Sequence, residues 1–259
     1  MKLIYQTSCG ISQKNIITTG TQLLPYIQRL QKIITNNDYS KPESSLNLAS
    51  NDTLLSVILQ IKKEKTDRNL KYIFVIGIGG SNLGAKAVYD ALYGYYDVLA
   101  KARYPKIIFI DTADSELLLQ LKKFFQTFVK KPQEILINVI SKSGTTTETV
   151  VNFEAILNIL KNIFDTRDIL DRTVITTDEN SLLWKMALKK KLTLLPIPKI
   201  VGGRFSVLSA AGLFPLSAAG IDMKNLLRGA GEMRTQCMQR NITKNPAIIS
   251  ATILYQHYR

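Results

Sequence analysis

Tyr72-Ile73-Phe74-Val75-Ile76-Gly77-Ile78-Gly79-Gly80-Ser81-Asn82-Leu83-Gly84 sets an unbroken apolar run directly before a glycine-rich turn. The run lacks the alternation of a half-buried strand and so fits a parallel strand covered on both faces. Glycines after it let the backbone turn sharply and bring its N–H groups close to an anion, at the positive end of the helix that follows. Strand, turn and helix together predict the first βα unit of a parallel sheet.

Working outward, the same alternation recurs. Residues 72–78, 107–111, 135–140, 173–176 and 192–197 are short aliphatic or β-branched runs, and residues 83–93, 115–129, 145–164 and 181–190 between them have helical character. Each intervening stretch is long enough for a crossover between parallel strands. The order predicts an α/β fold: a doubly wound, mainly parallel five-stranded sheet flanked by helices.

Upstream, residues 1–69 mix a helical patch at 21–34 with a polar connection at 36–45, and are expected to form a helical N-terminal arm or cap without a core of its own. Downstream, residues 206–220 are rich in small apolar side chains and 224–240 read as a helix carrying basic residues. Asn245-Pro246 then supplies a cap and a first helical position, and Ile248, Ile249, Ile253 and Leu254 continue the pattern. The expected division is 1–69 for the arm, 70–222 for the sheet domain and 223–259 for the start of a second domain. The last helix meets no stop signal before Arg259, so the chain is expected to be truncated there.

Hydrophobic residues make up 46% of the 259 and charged residues 21%, which excludes wholesale disorder or a fibrous chain. The 34 Lys and Arg against 20 Asp and Glu give a charge of +14, which by itself admits nucleic acid, an anionic membrane or a small anionic substrate. No aromatic ladder runs between the basic residues, so nucleic-acid binding is not expected. Cys9, Cys237 and the single His257 lack metal-ligand spacing, and no metal site is expected. The N-terminus has no sustained apolar stretch, and residues 207–221 are too short to span a bilayer and are broken by Pro215. The expectation is a reduced, cytoplasmic chain with no membrane span.

The glycine loop alone leaves several readings open. It nearly matches the dinucleotide fingerprint, but the third glycine falls at Asn82, and it fails as a nucleotide P-loop because Ala85 precedes Lys86. A second loop, Ile140-Ser141-Lys142-Ser143-Gly144-Thr145-Thr146-Thr147-Glu148-Thr149, says more. Thr145 and Glu148 have the spacing of a capping box, which would make the segment an ordinary helix start. Yet five hydroxyls and one Lys fall within the seven residues from Ser141, beside helix N–H groups, and such a cluster can ring the oxygens of a phosphate monoester. Both loops leave the carboxyl ends of predicted parallel strands and should face one crevice. Two hydroxyl-bearing loops fit a sugar phosphate better than a dinucleotide.

A third motif, Val201-Gly202-Gly203-Arg204-Phe205-Ser206, completes a pattern. Over approximately residues 70–254 the three motifs resemble, in order, those of the glucose-6-phosphate isomerase family. The resemblance implies the flavodoxin-like sugar isomerase domain. It also implies interconversion of glucose 6-phosphate and fructose 6-phosphate through a cis-enediolate, with no metal or organic cofactor, in a protein that is commonly a homodimer. Carried over by position, Gly80, Ser81, Ser141, Ser143 and Thr146 would hold the phosphate, with Lys142 and Thr145 in the same loop. Arg204 would be catalytic, stabilising the enediolate oxygens.

The same resemblance implies that the general-base Glu, a ring-opening His and a further Lys lie downstream of the helix that starts at Asn245. His257 is too close to that helix to be the catalytic His, and Glu148 and Glu154 are expected to cap or face solvent. The chain alone is therefore expected to be weakly active or inactive. Two alternatives remain: a non-catalytic sugar-phosphate-binding module, which has no need of Arg204, and a nucleotide-dependent dehydrogenase using Asp111 at the end of the second strand.

Overall fold

Five runs of β-branched and aliphatic residues form one sheet. In the computed structural model, which describes residues 3–100 and 103–258, they are β1 (Tyr72–Ile76), β2 (Lys106–Ile110), β3 (Ile135–Ser141), β4 (Thr173–Thr177) and β5 (Thr193–Pro196). Readings made on Met1, Lys2 and Arg259 lie outside the described residues. Every pairing is parallel and the order is β2-β1-β3-β4-β5, the flavodoxin-like arrangement. Strands β1, β3 and β4 are buried along their whole length, which is why none of them alternates in sequence.

Among the described residues the helices are α1 (Gln13–Thr21), α2 (Leu24–Thr35), α3 (Asp52–Lys65), α4 (Leu83–Tyr93), α5 (Ser115–Phe128), α6 (Thr147–Lys161), α7 (Thr166–Asp171), α8 (Leu182–Lys189), α9 (Ala210–Ala218), α10 (Met223–Cys237) and α11 (Pro246–Tyr258). Several starts follow their capping residues. Asp114 accepts from the Glu116 N–H to open α5, Ser181 from Trp184 to open α8, and Asn245 from Ile248 to open α11. The break between α1 and α2 falls before Pro25, which occupies the first turn of α2, so the helix expected over 21–34 begins three residues later.

The chain divides into two compact units, Asn51–Met223 and Met1–Ser50 with Lys224–Arg259. In the first, α5, α6 and α8 cover one sheet face. Tyr72, Phe74 and Ile76 of β1 and Ile135, Ile137 and Val139 of β3 pack there against Leu121, Phe125, Phe153 and Leu183. Phe74 and Phe125 are fully buried with ring centroids 4.8 Å apart, and truncating either to Ala is expected to cost about 3–5 kcal/mol. On the other face α9 packs on β1, with α3 and α4 against α9.

The amino end of β2 is pinned by a buried ion cluster. Asp97 accepts from Tyr89 Oη at 2.6 Å and Arg103 Nε at 2.6 Å, and Lys106 lies beside it. The Arg103 hydrogen bond holds the Asp97 carboxyl down at about 2, against the opposing effect of its burial.

The second unit departs from expectation. Residues 1–50 are not an arm without a core: Ile16 of α1, Ile27, Leu30 and Ile33 of α2, and Ile248 and Ile249 of α11 form one apolar cluster with Tyr5, Cys9 and Ile242. Gly20 lets α1 approach this closely, since a Cβ there would stand 2.8 Å from methyls of both Ile242 and Ile248. The sheet unit begins at Asn51 where 70 was expected, because α3 packs on α9, and ends at Met223, one residue from the expected 222. Apolar spacing within the first 50 residues does not tell which later segment will cover it. No helix among the described residues is long and apolar enough to cross a membrane.

Candidate functional site

In this strand order β1 and β3 are neighbours although β2 lies between them in sequence, so the crevice for ligands in such sheets opens beyond the carboxyl ends of β1 and β3. Both loops singled out in the sequence sit there. After β1 the Gly77 N–H donates to Ile110 O at 3.1 Å, and a Cβ on Gly77 would meet Ile140 O at 2.8 Å. The first loop is thus pressed against the end of β3, one residue before Ser141. Gly79 takes φ +58°, a tight turn runs through Gly79–Ser81, and α4 begins after Asn82.

The second loop is a knot of hydroxyls. Ser141, at 1% exposure, has its Oγ 2.9 Å from Thr146 Oγ1 and accepts from the Gly144 N–H. Ser143 Oγ accepts from the Thr145 N–H and hydroxyl and lies 3.5 Å from Thr146 Oγ1. The capping box that the spacing of Thr145 and Glu148 allowed as the ordinary alternative does not form. Helix α6 starts two residues later with Thr146 as its N-cap, and no side chain caps it, because the Thr146 hydroxyl turns to Ser141. The first N–H groups of α6 are thereby left facing the hydroxyl cluster with the positive end of the helix dipole behind them. Glu148 and Glu154 are exposed.

Residues that sequence reasoning passed over brace this loop. Thr177, at the end of β4, donates to Ser141 O at 2.5 Å, and the Asp178 N–H donates to Lys142 O at 3.2 Å. A buried threonine closing a strand beside the loop strand was the available signal.

The third motif docks on the first. A Cβ on Gly80 would lie 2.3 Å from the carbonyl carbon of Gly203 and 2.5 Å from its Cα, so the two backbones are in direct contact. Ser206 Oγ lies 2.7 Å from both Gly80 O and Gly203 O, positioned to donate to either. A Cβ on Gly84 would meet Val207 Cβ at 2.7 Å. The glycines were read as clearing the way for an anion; at Gly80, Gly84 and Gly203 the close approach is to protein. Arg204 is exposed between these contacts, and among the described residues neither its side chain nor that of Lys142 makes an ion pair or hydrogen bond.

Three motifs that are far apart in sequence therefore meet at one strand-order reversal: Gly77 lies against Ile140, the residue before Ser141, and Gly80 lies against Gly203. Asp111, the ribose ligand of a dehydrogenase reading, is instead engaged by Asn82 and Thr112. A family model described as phosphoglucose isomerase matches residues 18–259.

The chain belongs to the phosphoglucose isomerase family.

Among its curated relatives, a probable glucose-6-phosphate isomerase of Methanococcus maripaludis is 35% identical over 187 residues, 72% of this chain and 40% of the relative. The glucose-6-phosphate isomerase of Mycoplasmopsis synoviae is 36% identical over 212 residues, 82% of this chain and 45% of the relative. That of Staphylococcus saprophyticus is 36% identical over 204 residues, 76% of this chain and 43% of the relative. This member of the phosphoglucose isomerase family thus spans less than half the length of these relatives. Among solved structures, a hypothetical protein of Thermus thermophilus superposes with TM-score 0.76 at 26% identity, over 95% of this chain and 56% of that one. A glucose-6-phosphate isomerase of Chlamydia trachomatis superposes with TM-score 0.70 over 95% of this chain and 51% of that one; at 19% identity the likeness concerns the fold alone.

Proposed function

We propose that this chain binds the phosphate of a sugar phosphate and forms the substrate-anchoring part of an aldose–ketose isomerase, which interconverts glucose 6-phosphate and fructose 6-phosphate. The observation that carries the reading is the ring of Ser141, Ser143, Thr145 and Thr146 at an uncapped helix N-terminus. Hydroxyls that bond one another can turn their O–H groups onto phosphate oxygens, and the helix end and Lys142 supply positive charge. Gly80 and Ser81 would reach the same phosphate from the first loop, since both loops leave the carboxyl ends of the neighbouring strands β1 and β3. Phosphate held in this way converts remote binding energy into orientation of the sugar carbons.

Isomerisation removes the C2 proton of the open-chain aldose and returns a proton to C1, through a cis-enediolate whose oxygens carry the developing negative charge. Arg204 is the residue of this chain suited to meet that charge, and its guanidinium stays protonated throughout. No residue of this chain is assigned to proton abstraction; in the complete protein, proposed to be a homodimer, the base and the ring-opening acid come from further along the polypeptide. A purely regulatory sugar-phosphate module would have no use for Arg204 beside Gly203.

The purified chain is expected to bind fructose 6-phosphate and to convert it slowly or not at all. A coupled assay for glucose 6-phosphate decides: turnover of about 1 s⁻¹ or more, in the ordinary enzymatic range, would show that the chain needs nothing further. Absence of binding at millimolar fructose 6-phosphate would overturn the site itself.

A further inference from the structure

Asp111 and Thr112 follow β2, outside all three motifs, yet they stand between the helices that carry the two hydroxyl loops. Asn82, the residue from which α4 starts, is fully buried and donates through Nδ2 to Asp111 Oδ2 at 3.3 Å. The Thr112 hydroxyl donates to Asp111 Oδ1 at 3.3 Å. Asn152, on the second turn of α6 and 2% exposed, donates through Nδ2 to Thr112 O at 3.1 Å. One continuous strut, Asn82 to Asp111 to Thr112 to Asn152, therefore joins the start of α4 to α6.

Packing alone does not account for these side chains. Asn82 does not cap its own helix, so its amide is committed to Asp111 instead. Its Oδ1, the Oδ1 of Asn152 and the Thr149 hydroxyl are buried without a hydrogen-bond partner. Half-satisfied buried amides are disfavoured where an apolar residue would fit, and each one asks for a reason. Both carboxylate oxygens of Asp111 are engaged by protein donors, Oδ2 by Asn82 and Oδ1 by Thr112.

We propose that Asp111 is a positioning residue. Its carboxylate, which holds Asn82 on one side while the adjoining main chain carries the Thr112 carbonyl that Asn152 holds on the other, sets the spacing between the loop at Ser81 and the loop at Ser141 to Thr146, and thereby the affinity for a phosphate monoester. The inference rests on the sugar-phosphate reading of that site. A ring of donors built from two loops is sensitive to their separation; in catalytic sites a misplacement of about 1 Å can cost about 100-fold in rate.

The test is an exchange of partners. Dissociation constants for fructose 6-phosphate are measured by calorimetry on the full chain, beside the unliganded thermal midpoint, for wild type, D111A, N82D and the double variant N82D/D111N. D111A removes the acceptor, and N82D sets two carboxylates against each other. Both are expected to weaken binding about tenfold or more. The double variant restores one carboxylate and one amide with their roles exchanged, and is expected to return within about threefold of wild type. Single variants within twofold of wild type, or a loss that the exchange does not repair, would overturn the proposal. Should a single variant fail to fold, the double variant decides alone: wild-type affinity supports the strut, and weakened binding in a folded protein refutes it. Failure of the underlying reading looks different, because wild type itself would then bind no fructose 6-phosphate, and the proposal would fall with it.

Discussion

Gly80 and Gly203 meet backbone to backbone, so closely that a Cβ on Gly80 would lie 2.3 Å from the Gly203 carbonyl carbon. This contact joins the turn after β1 to the segment that carries Arg204, and Ser206 fastens it with a hydroxyl 2.7 Å from Gly80 O. The proposed phosphate anchor and the proposed electrophile are therefore held together by glycine contact more than by side chains.

Gly80→Ala is expected to force the two loops apart, because the obstructing atoms are backbone and cannot rotate away. The expected loss is about 3 kcal/mol, at the upper end for overpacking, together with loss of sugar-phosphate binding. Gly79→Ala is the control. Open space surrounds that position, but its φ of +58° makes a side chain strained, at a cost of about 1 kcal/mol. Urea titrations of the two variants should show the larger drop for Gly80→Ala; equal drops would mean that the loop contact matters less than the turn.

The sheet was legible because each strand is a short unbroken apolar run, and 72–78, 107–111, 135–140, 173–176 and 192–197 all became strands within two residues at each end. Helix α4 fell on 83–93 because Gly94, at φ +85°, stops it. The N-terminal unit was not legible. Its α1 has little apolar character of its own, and what covers Ile16 arrives from Ile242 and Ile248, more than 220 residues later. The hydroxyl loop was legible from composition, but composition left two conformations open. Thr145 and Glu148 have capping-box spacing, and only the Ser141 to Thr146 contact shows that the hydroxyls bond one another instead. Thr177 and Asn82 were missed because a buried Thr or Asn carries no motif until its partner is seen.

Stability should depend on pH through Asp97. Its carboxyl, 4% exposed as a side chain, is held at about 2 by Arg103 against an ordinary 3.8. A folded-state value below the unfolded one contributes stability that is fully present above about pH 4 and lost as pH falls towards 2, worth about 2 kcal/mol. Urea midpoints measured between pH 6 and 2 should show this loss in wild type and a flatter profile in Asp97→Asn. Parallel profiles would assign the acid lability to other carboxylates.

Gly20→Ala tests whether the chain's two ends form one cooperative unit. The added methyl would meet Ile242 and Ile248 at 2.8 Å each and is expected to destabilise that unit by about 1–3 kcal/mol. Amide exchange should then accelerate together in α1, α2 and α11, while β1 and β3 keep their protection. Acceleration confined to α1 would refute the unit.

Arg204 and the hydroxyl loop should separate by ligand. Ser141→Ala removes a phosphate partner and is expected to weaken inorganic phosphate and fructose 6-phosphate alike, by about tenfold, the equivalent of one charge-assisted hydrogen bond. Arg204→Ala leaves the phosphate ring untouched and should change inorganic phosphate affinity by less than about twofold. Against a planar sugar-phosphate analogue of the enediolate, whose anionic oxygens reach the position where charge develops, the same change should cost about 100-fold. Lysine at 204 should recover only part of this, since a point charge cannot span two oxygens as the guanidinium fork does. Calorimetry with the three ligands separates the cases. Equal losses for phosphate and analogue would make Arg204 part of the phosphate anchor and leave the chain without an electrophile for the enediolate.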